Sequence, residues 1–174
     1  GQSISIRPNA RNTVGGPVAQ APEAAQSGAQ GRGGGQGFGG RGGGRFGRWQ
    51  WDSPLIVSPQ ASRRLYFAGE RVYRSDDRGD SWTAISGDLT RQLDATKIAI
   101  MGKVWPPDSV AFNQATTTLS TITAMDESPL LEGLIWVGTD DGNVQVTGNG
   151  GKNWTKVDSF PGVPQYTYVT DVFP

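Results

Sequence analysis

Ser75-Asp76-Asp77-Arg78-Gly79-Asp80-Ser81-Trp82 and Thr147-Gly148-Asn149-Gly150-Gly151-Lys152-Asn153-Trp154 fit a single template. A hydroxyl residue is followed two positions on by Asp or Asn, two further by Gly, and three further by Trp. The short polar side chains (Ser75, Asp77, Thr147 and Asn149) suit hydrogen bonds to backbone N–H groups just ahead of them, which fixes a tight turn. Gly79 and Gly151 supply the positive φ that such a turn needs. Trp82 and Trp154 then open the next strand with a large apolar surface and an indole N–H that requires an acceptor. Each stretch reads as a hairpin turn with a hydrophobic anchor.

The flanks repeat too. Ser58-Pro59, Leu65-Tyr66-Phe67-Ala68-Gly69 and Arg71-Val72-Tyr73-Arg74 precede the first turn; Ser128-Pro129, Leu134-Ile135-Trp136-Val137-Gly138 and Asn143-Val144-Gln145-Val146 precede the second. Four short strands per unit of roughly 40 to 50 residues are the signature of a propeller blade; here the two turns lie 72 positions apart, because residues 87–118 interrupt the repeat. The expected fold class is therefore all-β: about two antiparallel four-stranded blades of an incomplete β-propeller, with a disordered Gly/Arg-rich loop.

With these residues in view, the pattern resembles the Asp-box, or bacterial neuraminidase repeat, of sialidases, some glucanases and sortilin-type receptors. The run from Trp49 to Pro174 is most similar to large secreted or periplasmic bacterial proteins with sortilin-like propellers. Trp51-Asp52-Ser53-Pro54, Tyr73 to Trp82 and Val137-Gly138-Thr139-Asp140-Asp141-Gly142 carry that likeness. The resemblance implies a propeller and a bacterial periplasmic or extracellular location. It implies no catalytic role for the repeat itself, which in these families sits away from the catalytic centre.

Composition divides the chain. Fifteen of the 26 glycines lie before residue 51, and all six tryptophans lie at or after residue 49. Residues 1–50 hold six Arg and one acidic residue, whereas residues 51–174 hold ten Lys or Arg and fifteen acidic residues, so a net charge of zero conceals a basic segment joined to an acidic body. The absence of Cys and His removes thiol nucleophiles, disulfides, Cys or His metal sites and His general bases. No run approaches the roughly 18 to 20 apolar residues of a membrane span, and a start at Gly1 without a signal peptide is consistent with a processed or excised segment.

In chain order, residues 1–8 alternate and suggest a strand that closes a preceding blade. Residues 9–48 read as a linker or loop insertion, because their Gly, Ala, Gln, Pro and Arg cannot bury enough apolar surface to offset ordering entropy. Residues 49–86 form the first blade, 87–118 an inter-blade insertion, 119–160 the second blade and 161–174 the start of a further one, with a strand expected over Tyr166 to Phe173. Leu55 and Val57 should face one way and Ile56 the other. Arg63 and Arg64 read as solvated residues of an exposed turn. Asp140-Asp141-Gly142-Asn143 reads as a hairpin turn, without the twelve-residue spacing of a calcium loop.

Three functions compete. A rigid propeller that binds a protein partner or the remaining blades, with glycan as another ligand class, is the primary expectation; Trp105 beside Pro106-Pro107 is the candidate contact, and no catalytic residue, cofactor or metal is expected. A glycoside hydrolase needs two carboxylates facing across a sugar site, or in sialidases a Tyr nucleophile with an Arg cluster. RNA binding would use Arg41, Arg45 and Arg48 of the Arg-Gly tract, whose guanidinium groups pair with phosphate and stack on bases. The acidic neighbour and the lack of an RNA-binding fold weigh against nucleic acid.

Overall fold

The computed structural model describes residues 5–9, 12–14, 47–106, 108–110, 118–157 and 159–174. They form an all-β molecule of two sheets. In the first, β2 (Leu55–Val57), β3 (Leu65–Ala68), β4 (Val72–Ser75) and β5 (Trp82–Ala84) make an antiparallel meander, and β1 (Thr13–Val14) adds to β5 in parallel. The second is the four-stranded meander β6 (Ile122–Glu127), β7 (Ile135–Thr139), β8 (Val144–Thr147) and β9 (Thr155–Val157). Among the described residues no helix is long and apolar enough to cross a membrane.

The two meanders share one register. Leu65 pairs with Ser75 as Ile135 pairs with Thr147, and Ala68 pairs with Val72 as Gly138 pairs with Val144. Because side chains alternate along a strand, this register sorts each sheet into two faces that correspond residue for residue. Leu65, Phe67, Tyr73 and Trp82 lie on one face of the first sheet; Tyr66, Ala68 and Val72 lie on the other.

The second sheet stacks on that latter face. Tyr66, Ala68 and Val72 share a buried cluster with Ile122, Met125, Ile135 and Val137, and Leu89 from the insertion closes it. Ile56 joins this cluster while Leu55 and Val57 remain half-exposed on the far side, so the expected alternation holds. On the far side Phe67 meets Trp49 and Trp82 edge to face, at centroid separations of 6.1 and 6.3 Å. The first sheet is thus a middle layer, with the segments carrying Ile6 and Trp49 against its far face.

Three sequence expectations change. Residues 5–8 form no strand: Asn12 receives the Asn9 N–H on its side chain (2.7 Å), its own backbone N–H bonds the Asn9 carbonyl (3.2 Å), and the chain turns there before pairing. The strand comes later, as Thr13–Val14, inside the stretch expected to lack structure. Tyr166 to Phe173 form no ladder, because no neighbouring strand pairs with them among the described residues. Arg64 is not a solvated turn residue; its side chain is only 12% exposed and bonds Asp76 (2.9 Å) and Glu132 (2.6 Å), joining the two sheets. The Gly/Arg-rich tract from residue 15 to 46 lies outside the described residues.

Truncating Trp82, which is fully buried, removes the centre of the far-side cluster, so Trp82→Ala should lower unfolding stability by about 3–5 kcal/mol. Chemical denaturation monitored by circular dichroism measures this, and an unchanged midpoint would contradict the packing described.

Candidate functional site

Each repeated turn closes through its own side chains. In the first, the Ser75 hydroxyl donates to Asp77 Oδ1 (2.7 Å) and accepts from the Gly79 N–H (2.8 Å), while Asp77 accepts from the Ser81 N–H (2.9 Å) and hydroxyl (2.6 Å). The second repeats it: Thr147 donates to Asn149 Oδ1 (3.0 Å) and accepts from the Gly151 N–H (3.0 Å), and Asn149 Oδ1 accepts from the Asn153 N–H (3.0 Å). The Ser81 donors, with Ser75, hold the Asp77 carboxyl down at about 2. The turn therefore consumes the carboxylate as an acceptor and leaves it unsuited to proton transfer at neutral pH.

The Trp that closes each turn docks on the layer before it. Trp82 Nε1–H donates to the Ile6 carbonyl (2.7 Å), and Trp154 Nε1–H donates to the Ile85 carbonyl (3.2 Å). The turn glycines make the approach possible: a Cβ on Gly79 (φ 96°) would stand 3.0 Å from Ile6 Cβ, and one on Gly151 (φ 93°) would stand 2.8 Å from Ile85 Cβ. Ser75, Asp77, Gly79, Trp82 and their counterparts Thr147, Asn149, Gly151 and Trp154 thus form two docking elements. Ile6 and Ile85 occupy the same role although 79 positions separate them in sequence.

A second constellation gathers at the β7–β8 turn. Asp140 accepts from the Thr121 N–H (2.9 Å) and hydroxyl (3.1 Å), and Asp141 accepts from the Arg91 N–H (2.8 Å) and the Thr139 hydroxyl (2.5 Å). The Arg91 guanidinium returns to the Asp141 carbonyl (2.8 Å) and lies 5.4 Å from the Tyr166 ring centroid. These contacts pin both ends of the insertion to one hairpin. A cleft of about 380 Å³ opens between Arg91, Gly142 and the segment carrying Phe160, Val163 and Tyr166. Burial pushes the Asp140 carboxyl up to about 6, against the bonds from Thr121, and the charge of Asp141 adds to the rise. Tyr168 donates to Asp52 (2.7 Å), and its phenol rises to about 12 through burial and that bond. A phenol so raised is not poised as a nucleophile.

The remaining sequence candidates separate. Trp105 is 41% exposed, donates to the Ile100 carbonyl (3.2 Å) and stacks under the Lys103 ammonium at 4.6 Å. In the same stretch of sequence Ile100, Met101, Val104 and Val110 are also exposed. Arg48 is engaged with Asp88 (2.6 Å), the Thr90 hydroxyl (3.0 Å) and the Ser120 carbonyl (3.1 Å), so it ties three segments together. Arg41 and Arg45 lie outside the described residues. Among the described residues, no group of three or more acidic side chains has the arrangement of a metal site.

Sequence reasoning missed Glu127. It is buried between the sheets and accepts from Tyr66 OH (3.0 Å), the Gly133 N–H (3.0 Å) and the Ser58 hydroxyl. Its signal was present: Glu127 precedes Ser128-Pro129 where apolar Val57 precedes Ser58-Pro59. Arg91 and Leu89 were also overlooked, because the insertion lacks periodicity.

A scan against protein-family models matches none. A search of curated proteins finds no match either.

A carboxyl with a raised folded-state pKa binds its proton more tightly when folded than when unfolded. The contribution of Asp140 to stability is therefore greatest when it is protonated, and falls as pH rises from the ordinary carboxylate range through about 6. Unfolding free energy should accordingly increase between about pH 7.5 and about pH 5, and Asp140→Asn, which keeps an acceptor for Thr121, should flatten that slope. Denaturation curves at both pH values for the two proteins provide the check; an identical slope in both would remove Asp140 as the cause.

Proposed function

We propose that this chain is a segment of a β-propeller and serves as a non-catalytic, protein-binding scaffold of a larger bacterial envelope or secreted assembly. The observation that carries it is the recurrence of the indole dock, Trp82 on the segment carrying Ile6 and Trp154 on Ile85 at the end of the first sheet, so that one contact recurs at two successive layers. Such a stack is rigid, and rigid layers with protruding loops are how repeat proteins present binding surfaces. The compartment rests on the resemblance to secreted and periplasmic bacterial propellers alone.

The insertion supplies the contact surface. Its base is fastened by Arg91 to Asp141, and by the Leu93 N–H to the Ser120 hydroxyl (2.8 Å). Its stretch from Ile100 to Trp105 exposes Ile100, Met101, Val104 and Trp105, apolar side chains of the kind that mark an interaction site. A fixed start followed by exposed apolar side chains suits a protein partner. The carboxylates that hydrolysis would require are committed elsewhere: Asp76 to Arg64 and Arg74, Asp77 to its turn, Asp140 to Thr121 and Asp141 to Arg91.

Site-specific photo-cross-linking decides the matter. A cross-linker at Met101, which is 97% exposed, should give a discrete protein adduct in the native envelope that weakens when Trp105 becomes Ala, whereas one at Leu130, 93% exposed on another loop, should give none. Absence of an adduct at Met101 would contradict the scaffold. Glycoside hydrolysis abolished by Asp140→Asn would establish the hydrolase reading instead. RNA affinity that falls steeply with salt and disappears on deleting residues 31–48 would establish the nucleic-acid reading.

A further inference from the structure

The two repeated turns differ at one chemically decisive place: Asp77-Arg78 in the first is Asn149-Gly150 in the second. Of the six Asn residues in the chain, Asn149 is the one followed by Gly, so the nitrogen next to its carboxamide is one that no Cβ shields. That pairing is the reactive one for amide loss. The Gly150 nitrogen gives its proton to water and attacks Asn149 Cγ; the Cγ–Nδ2 bond breaks, ammonia leaves and a five-membered imide forms. Water then opens the ring at Cγ, giving ordinary Asp, or at the main-chain carbonyl of residue 149, giving a β-linked chain. The sum is Asn plus water to Asp plus ammonia.

The fold restrains both reacting groups. Asn149 Oδ1 accepts from the Thr147 hydroxyl (3.0 Å) and the Asn153 N–H (3.0 Å). The Gly150 N–H donates to the Gly133 carbonyl (3.0 Å). Gly133 is itself fixed, because its N–H donates to buried Glu127 (3.0 Å) and, at a φ of 76°, a Cβ on it would stand 2.9 Å from the Gly150 nitrogen. Ring closure requires the carboxamide to leave Asn153 and the Gly150 nitrogen to leave Gly133, so it waits on local opening of the β8–β9 turn. Asn149 is exposed, and a Cβ on Gly150 would meet no atom within 4 Å, so water reaches the pair once the turn opens.

The first turn already holds the product's geometry. The Arg78 N–H donates to the Arg63 carbonyl (3.0 Å) as that of Gly150 does to Gly133. In the place of Asn149, Asp77 accepts through Oδ1 from the Ser75 hydroxyl (2.7 Å) and the Ser81 N–H (2.9 Å), and through Oδ2 from the Ser81 hydroxyl (2.6 Å). A carboxylate at 149 therefore fits, and its charge strengthens the bonds from Thr147 and Asn153 that the neutral amide now accepts. A β-linked residue lengthens the main chain by a methylene and moves the carboxylate to another carbon. It cannot restore both the Asn153 bond and the Gly151 N–H bond to Thr147 (3.0 Å), so it stays open and closes the imide again.

We propose that Asn149 is a self-modification site, which hydrolyses to Asp through its imide with Gly150 when the β8–β9 turn opens, and that re-formation of the turn selects the ordinary α-linked product. The conversion makes the second turn a chemical copy of the first and adds a negative charge to the acidic body. It goes beyond the scaffold reading and stands without it.

The test incubates the full chain at mildly alkaline pH, folded and in denaturant, and maps its peptides by mass spectrometry with fragmentation that tells α- from β-linked Asp. In denaturant, conversion should concentrate at Asn149 and give both linkages. In the folded chain it should be about tenfold slower or more, because only the opened turn reacts, and its product should be mainly α-linked. Gly150→Ala should suppress conversion in both states; the turn tolerates a side chain there, since Arg78 occupies the matching place at a φ of 67°. Asn149→Asp should raise the urea midpoint of the folded chain. Equal rates in the two states, a mainly β-linked product from the folded chain, or a lower midpoint for Asn149→Asp would overturn the proposal.

Discussion

An indole N–H buried without an acceptor is costly, and this structure depends on how that requirement is met. Neither repeated indole finds its acceptor within its own sheet. Trp82 reaches the carbonyl of Ile6 and Trp154 that of Ile85, so each turn satisfies its donor only when another layer lies against it. Apolar burial between the layers supplies most of the driving force, and the indole bond fixes where they sit. The positive-φ glycines of the turns answer the same constraint, since a side chain there would collide with the residue that offers the carbonyl.

The consequence for chemistry is that the turn carboxylates and hydroxyls do structural service. Asp77 is held at about 2 by the Ser81 and Ser75 donors, a state fit for accepting bonds and unfit for donating a proton. Asp76 is pulled below its ordinary value by hydrogen bonds and charge from Arg74 and Arg64, which outweigh the rise from its burial. At the other end of the sheets, Asp140 and Asp141 anchor the insertion rather than facing each other across a cleft. Of the insertion, Met101 and Trp105 stay exposed, while its first part is fixed through Arg91 and Leu93.

Most of the sheet architecture was legible in the sequence because two signals agree there: the turn chemistry of Ser75–Trp82 and Thr147–Trp154, and the alternation in strands such as Leu65–Ala68. The register equality of the two sheets is a consequence of that template. What the sequence did not disclose are long-range pairings without periodicity. Thr13–Val14 adds to β5 although their surroundings look unstructured, and Arg64 looks like a surface charge until Glu132 of the β6–β7 loop meets it. Glu127 was legible only as a break in the repeat, an acid where the first unit has Val57, and its role needed Tyr66 and Ser58 brought together in space.

The most direct test of the docking account is the exchange of the indole N–H protons, read from the Trp side-chain signals of ¹⁵N-labelled protein in water. Trp82, fully buried, and Trp154 should exchange slowly, far behind Trp51, which is 83% exposed. Trp82 and Trp154 indoles exchanging as fast as that of Trp51 would contradict it, since no bonded, layered dock leaves those protons open to solvent.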